Sequence, residues 1–351
     1  MLNVGVIGAG AMGANHVRVY AELDEVNLVA VADPLEERAA RLARRCGANH
    51  YTDYRRMLEQ ESLDIVSIVV PTTQHAEIAC DCARGGVHLF VEKPIASTIE
   101  EAWEMMAMAA ARGLRLSVGH VERFNPAIRE MKSRLMRGEL GRAFQIHARR
   151  LGPFPERVRD VGVVIDLATH DIDVMRYLTD SEPVRVYAET ERRVHTEHED
   201  LLSGVLKFAN GAIGVLDINW LTPTKIREIS VTGERGMFLA NYLTQDLYFY
   251  ENNFGPQGWS PTVPLLGVSE GNMLKLRIDR GEPLKLELAA FVSSVANGCQ
   301  PEVRGEDAVA ALTIAQAIVR SGETARTICM GPSQAAPPVR SKRVVRRPQL
   351  V

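Results

Sequence analysis

The sequence predicts an α/β protein: a doubly wound parallel sheet over residues 1–121, then an α+β part with a mostly antiparallel sheet over residues 122–328. Three observations point there. Short runs of Val, Ile and Leu alternate with amphipathic stretches up to about Val121, and the alternation stops there. Strand-like runs then succeed one another with turn signals between them. A chain of 351 residues has room for two such units.

In the first part the expected strands are Val4–Ile7, Leu28–Ala32, Ile65–Val70, Val87–Val91 and Leu114–Val118. They are near-continuous apolar runs, as strands buried on both faces require. The stretches between them, Ala11–Leu23, Leu35–Arg45, Gln74–Arg84 and Ile99–Ala111, read as helices, so the strands are joined by parallel crossovers. Beyond Val121 a helix at Ala127–Arg137, closed by Gly138, leads into a strand at Phe144–Arg150, and another helix is expected at Ala168–Leu178. Strands at Val184–Glu191, Leu202–Phe208, Ala212–Trp220, Glu228–Thr232 and Gly236–Tyr242 follow. Turns such as Ala209-Asn210-Gly211 make antiparallel hairpins of them. Helices return at Pro283–Ala296 and Gly305–Arg320.

Composition narrows the function. Hydrophobic residues make up 46% of the chain, enough for a sizeable core, and the net charge is −3. Five basic residues (Arg340, Lys342, Arg343, Arg346 and Arg347) and no acidic one lie between Gly331 and Val351, so the body is more acidic than the total suggests. An acidic body with few aromatics excludes general nucleic-acid binding, and residues 329–351 read as a basic, Pro-containing, solvated tail. Five scattered cysteines without a CxxC pair indicate reduced, cytoplasmic usage, and no apolar run or leader points to a membrane or to secretion.

Gly8-Ala9-Gly10-Ala11-Met12-Gly13 follows the first strand and opens the first helix. This is the context in which G-x-G-x-x-G cradles a dinucleotide pyrophosphate. Asp33 ends the second strand, where a carboxylate accepts from ribose hydroxyls and repels a 2′-phosphate. NAD is therefore expected over NADP, with Arg38 nearby as the one softening charge. Pro71, Thr72 and His75 stand beyond the strand that starts at Ile65, and Glu92-Lys93-Pro94 ends the next one, where ligands of such sheets sit. A cation delivered there can lower a hydroxyl's pKa. The stretch Gly119–Pro126 either turns His120 toward the cofactor and Arg123 and Asn125 toward the substrate, or locks the two parts together. Asp166 and His170, four apart, share a helix face, and an imidazole beside a carboxylate makes a workable general base. No metal is expected at this pair. The stretch His195–Asp200 reads as a charged hairpin turn rather than a metal site.

The glycine fingerprint, Glu92-Lys93-Pro94 and Asp166-x-x-x-His170 together resemble the glucose–fructose oxidoreductase / inositol dehydrogenase family, Gfo/Idh/MocA, over about residues 1–328. The resemblance implies a Rossmann domain joined to a C-terminal domain with an open-faced sheet. It implies Lys93 and His170 as the catalytic pair, Asp166 holding a substrate hydroxyl, and a Lys93–Pro94 peptide that is often cis. It also implies a homodimer or homotetramer formed through the outer sheet face. Within the family, Gly119–Pro126 and the run from Glu199 to Arg227 look like segments of enzymes that oxidise nucleotide-linked sugars. A diphosphate needs cations, and Arg123, Lys225 and Arg227 are the candidates by charge. The expected reaction is NAD-dependent oxidation of a secondary hydroxyl, C3 of a UDP-linked N-acetylhexosamine. A free-polyol or inositol dehydrogenase and a non-catalytic nicotinamide sensor are the alternatives.

Overall fold

The structure, a computed structural model, describes residues 1–155, 161–194, 197–253 and 269–331. Six strands, β1 (Leu2–Ile7), β2 (Val26–Ala32), β3 (Asn49–Tyr51), β4 (Ile65–Ile68), β5 (His88–Val91) and β6 (Leu116–Val118), form a parallel sheet in the order β3-β2-β1-β4-β5-β6. All four residues of β4 are buried, the mark of a strand covered on both faces. Helices α1 (Ala11–Ala21), α2 (Glu36–Cys46), α3 (Tyr54–Gln60), α4 (His75–Arg84) and α5 (Ile99–Ala110) supply the crossovers. Their ends follow local chemistry. Gly47 closes α2 in the left-handed region, and Thr98 with Glu101 forms a reciprocal capping box on α5. The strand order reverses between β1 and β4, which leaves the crevice above their carboxyl ends as the natural ligand site.

The second sheet has nine strands: β7 (Ala143–Pro153), β8 (Pro183–Glu191), β9 (Leu201–Phe208), β10 (Ile213–Asn219), β11 (Leu221–Gly233), β12 (Gly236–Asn241), β13 (Asp246–Asn253), β14 (Ser269–Leu276) and β15 (Ile328–Cys329). Their order is β14-β13-β12-β11-β7-β10-β9-β8-β15, antiparallel except where β10 runs parallel to β7. Along β10 the residues Gly214, Leu216 and Ile218 are buried and their neighbours are not. The buried face packs on α6 (Pro126–Met136), on α7 (Thr169–Thr179) and on α9 (Gly305–Thr324). Val184, Tyr187, Val205 and Ile213 lie exposed in β8, β9 and β10.

Four strands were not expected from sequence: β3, β13, β14 and the two-residue β15. The expected strand Glu228–Thr232 is the end of the 13-residue β11. The chain also returns to the first sheet. Helix α8 (Pro283–Ala296) packs Leu288 and Phe291 in one cluster with Val4, Val6 and Phe90, while Ala308 and Leu312 of α9 pack with Val91 and Val118. Of the basic tail, everything beyond Gly331 lies outside the described residues, as does His195 of the charged turn.

Candidate active site

The glycine turn is built by contact as much as by flexibility. Gly8 has φ +102°, and a Cβ on it would land on the Val69 carbonyl, while one on Gly13 would strike the Gly8 carbonyl. A Cβ on Gly10 would meet nothing within 4 Å among the described residues. That position is therefore open on the side from which a phosphate reaches the backbone. Gly10 is the N-cap of α1 without a side-chain cap, and Ala11 and Met12 follow in its first turn. Asp33 is 8% exposed; its Oδ2 accepts from Ala9 N at 2.7 Å and its Oδ1 from Leu35 N at 2.9 Å. Each oxygen keeps a second lone pair for a ribose hydroxyl. Arg38 is exposed two residues into α2. This set fits a dinucleotide.

The neighbouring positions act more indirectly than the sequence suggested. Pro71 and Thr72 lie in the turn after β4. The ring nitrogens of His75 lie 3.0 Å from the carbonyls of Pro94 and Val70, and the ring is 1% exposed. Burial lowers its pKa, so the neutral ring donates to one of the two carbonyls. His75 therefore braces two loops rather than presenting its ring to a cofactor. Glu92 turns its carboxylate inward to His16, at 3.0 Å, and does not face the crevice. Burial pushes Glu92 up, yet the His16 bond and the Lys93 charge leave it lowered overall.

Lys93 follows, with a cis peptide to Pro94. Its Nζ donates to Asp166 Oδ1 at 3.0 Å and to the Asp166 carbonyl at 2.7 Å. Asp166 sits in a π-helical turn, Val164–Ala168, that runs into α7, so the Asp-x-x-x-His spacing spans a widened turn and not a regular helix. His170 is half-buried, and its Nδ1 is sealed without a hydrogen-bond partner among the described residues. Burial first, then the charges of Lys93 and Arg150, hold its pKa well below the usual imidazole range. The ring is thus neutral, as a proton acceptor must be.

Around this centre most charges are already paired. Arg150 on β7 makes a bidentate pair with Asp171, at 2.5 and 3.1 Å, and reaches Glu122 at 2.9 Å. The Tyr242 ring lies under that guanidinium, 5.0 Å away. The sequence reading missed Arg150, Asp171 and Tyr242; the adjacency of Asp171 to His170 was the available signal.

The segment Gly119–Pro126 locks the structure rather than facing a ligand. Arg123 is bidentate with Asp173 at 2.6 Å for both bonds, and approaches Asp307 at 3.3 Å. That corrects its expected role as a diphosphate partner: a buried guanidinium already paired with two carboxylates is neutralised within the fold. Asn125 is also structural, since its side chain accepts from Ala127 N and donates to the Tyr242 carbonyl while 1% exposed. His120 is 3% exposed; its Nδ1 lies 3.9 Å from Asp173 and makes no hydrogen bond among the described residues, and burial lowers its pKa.

Arg227 differs. It stands opposite Arg150 in the β11–β7 register, on the same face. Among the described residues its guanidinium makes no ion pair or side-chain hydrogen bond, and burial followed by the Arg150 charge lowers its pKa. His170 and Asp166 both feel this cation. Lys225 is exposed on the same strand. No group of three or more His, Cys, Asp or Glu among the described residues is placed to hold a metal ion.

Comparison with known proteins adds to this geometry. Residues 2–120 match a family model described as an oxidoreductase family, NAD-binding Rossmann fold (GFO_IDH_MocA), and residues 128–239 match the GFO/IDH/MocA C-terminal domain. UDP-N-acetylglucosamine 3-dehydrogenase from Acidithiobacillus ferrooxidans is 30% identical over 84% of this chain and 89% of its own. A solved structure of that protein, GnnA, superposes with a TM-score of 0.81, covering 92% of this chain and 98% of the other at 29% identity. Myo-inositol 2-dehydrogenase from Thermotoga maritima is 25% identical over 93% of this chain and 98% of its own.

Proposed function

The chain belongs to the Gfo/Idh/MocA family of NAD-binding oxidoreductases, and from that premise we propose that it oxidises a secondary hydroxyl of a nucleotide-linked sugar, C3 of a UDP-linked N-acetylhexosamine. The single observation that carries the substrate reading is Arg227: a guanidinium beside the reacting centre, next to a second guanidinium and without a carboxylate of its own among the described residues. A charge in that setting is satisfied by an anion arriving with the ligand, and a sugar diphosphate brings one. Exposed Lys225 adds a second cation on the same strand.

In this reading Gly8, Gly10 and Gly13 with Ala11 and Met12 hold the pyrophosphate, and Asp33 holds the adenosine ribose. When bound, NAD supplies the hydride acceptor. His170, kept neutral by burial and neighbouring cations, takes the hydroxyl proton, while the Lys93 ammonium polarises the same oxygen. The two roles are exchangeable. Asp166 fixes the ammonium with Oδ1 and the main-chain carbonyl, and turns its other oxygen to a substrate hydroxyl.

The test is a screen of UDP-sugars and free polyols with NAD, followed by absorbance of the reduced nicotinamide. Turnover of UDP-N-acetylglucosamine far above that of myo-inositol is expected. The reverse order overturns the substrate reading and favours the polyol reading, to which the similarity to myo-inositol 2-dehydrogenase points. Catalysis of either kind argues against a mere sensor.

The setting we propose is cytoplasmic. All five cysteines are free, and no helix of the described residues is long and apolar enough to cross a membrane. The exposed apolar side chains Val184, Tyr187, Val205 and Ile213 suit a homodimer or homotetramer joined through the outer sheet face. A monomeric mass in light scattering would contradict that assembly.

A further inference from the structure

A line of buried and partly buried polar groups runs from the phosphate-binding helix to the catalytic lysine, and the proposed reaction uses none of them. His16, in the second turn of α1, is 0% exposed. Its Nε2 lies 3.0 Å from Glu92 Oε1 and its Nδ1 lies 3.3 Å from Ser67 Oγ, which is 2.8 Å from the Tyr20 hydroxyl. The other oxygen of Glu92 accepts from the backbone N–H of Lys93 at 3.1 Å. A third restraint is an absent side chain: a Cβ on Gly119 would stand 2.9 Å from Glu92 Oε1. The carboxylate occupies the space that any larger residue at position 119 would take.

The hydrogens can be assigned in one direction. Tyr20 can donate to Ser67, Ser67 to His16 Nδ1, and His16 Nε2–H to Glu92, which gives every group in the line a partner. The line is not a route for protons to solvent, because it ends on Tyr20, which is 1% exposed and whose pKa burial raises. The fold alone does not call for it either, since buried ionic groups can commonly be replaced by apolar ones without loss of stability. What remains is geometry at Lys93.

We infer that His16 and Glu92 are a positioning pair for the catalytic lysine. The imidazole fixes the Glu92 carboxylate, and the carboxylate fixes the backbone at Lys93. The ammonium is thereby aimed at Asp166. The same ring belongs to the helix whose first turn faces the dinucleotide, but it bears on the lysine and not on the glycine turn. This inference needs only the family-level chemistry and is independent of which sugar is oxidised.

The experiment reads Lys93 directly, without substrate. Reductive methylation with formaldehyde, followed by mass spectrometry, gives the modification rate of Lys93 relative to exposed Lys225 in the full-length protein. His16→Leu is expected to accelerate Lys93 labelling several-fold with NAD affinity unchanged, and His16→Gln, whose amide reaches Glu92, to restore the slow rate. With whichever substrate the screen identifies, kcat should fall about 10- to 100-fold in His16→Leu at constant KM. Unaltered Lys93 labelling in a soluble, NAD-binding His16→Leu protein overturns the inference. Loss of NAD affinity in step with kcat also overturns it, since it would make His16 a packing residue of α1. If His16→Leu does not fold, Glu92→Gln carries the same expectation of faster labelling, and an unaltered rate there has the same adverse meaning. A failed substrate screen leaves the labelling result readable.

Discussion

Replacing Arg227 with Met separates the demands of the fold from those of the ligand. In the free protein, Arg227 faces Arg150 across the β11–β7 pair and has no carboxylate of its own among the described residues. Like charges directly opposite one another destabilise a strand pair by about 0.2–1 kcal/mol, so Arg227→Met should leave the melting temperature unchanged or slightly raised. Binding responds in the opposite sense. A hydrogen bond to a charged group is worth about 1.5–3 kcal/mol, and about 1.4 kcal/mol is a factor of ten. The KM for UDP-N-acetylglucosamine should therefore rise by roughly 10- to 150-fold. An uncharged polyol such as myo-inositol should be affected little. The assay is initial-rate formation of reduced nicotinamide with both substrates, paired with thermal melts of the free protein. An equal loss on charged and uncharged substrates, or a clear drop in melting temperature with KM unchanged, would refute the assignment of Arg227 to an incoming anion.

Lys93→Ala should lower kcat by about 100- to 10,000-fold while NAD affinity measured by titration stays the same; full activity would remove Lys93 from the chemistry. Because burial and the charges of Lys93 and Arg150 depress the His170 pKa, the neutral ring persists into acid. The acid limb of kcat/KM should accordingly fall below about pH 6.5, and it should vanish in whatever activity His170→Ala retains. A limb at or above that value would exclude His170 as the base. Glu287 on α8 is 1% exposed, neither carboxyl oxygen has a hydrogen-bond partner among the described residues, and burial holds its pKa well above the usual range. The folded chain thus keeps a proton that the unfolded chain loses above about pH 4.3, so stability declines as pH rises, by about 1.4 kcal/mol per unit from this group. Urea melts of Glu287→Gln at about pH 5 and about pH 7 should lack that component, and parallel pH dependence in both proteins would disprove it.

The parts of the site that were legible in the sequence are those in which one residue type has a single physical use. Gly8 and Gly13 touch carbonyls that a side chain would strike, and a glycine fingerprint after a strand encodes that directly. Lys93 and Asp166 were recognisable as motifs, but that an ammonium would bind both the carboxylate and the carbonyl of one residue depends on the π-turn, for which the spacing gives no sign. Arg123 was misread because charge is visible along a chain and pairing is not; Asp173, its partner, lies 50 positions away. Asn125 before Pro126 was a readable helix cap, and that local explanation should have outweighed a ligand role. His75 and Glu92 turn inward for reasons that require knowing what stands beneath them: Val70, Pro94 and His16. Strand β14 escaped because a sheet edge does not demand an unbroken apolar run, whereas β13 carries the readable run Leu247-Tyr248-Phe249-Tyr250 and was overlooked.

The return of α8 and α9 to the first sheet means that the chain cannot be cut into two working modules near Val121. A fragment ending there would bare the seats of Leu288, Phe291, Ala308 and Leu312, all of which lie in the cofactor half's own core clusters. The helices α8 and α9 are thus a clasp closed over the beginning, and a nucleotide-binding half expressed without them should be insoluble or should seek another apolar surface.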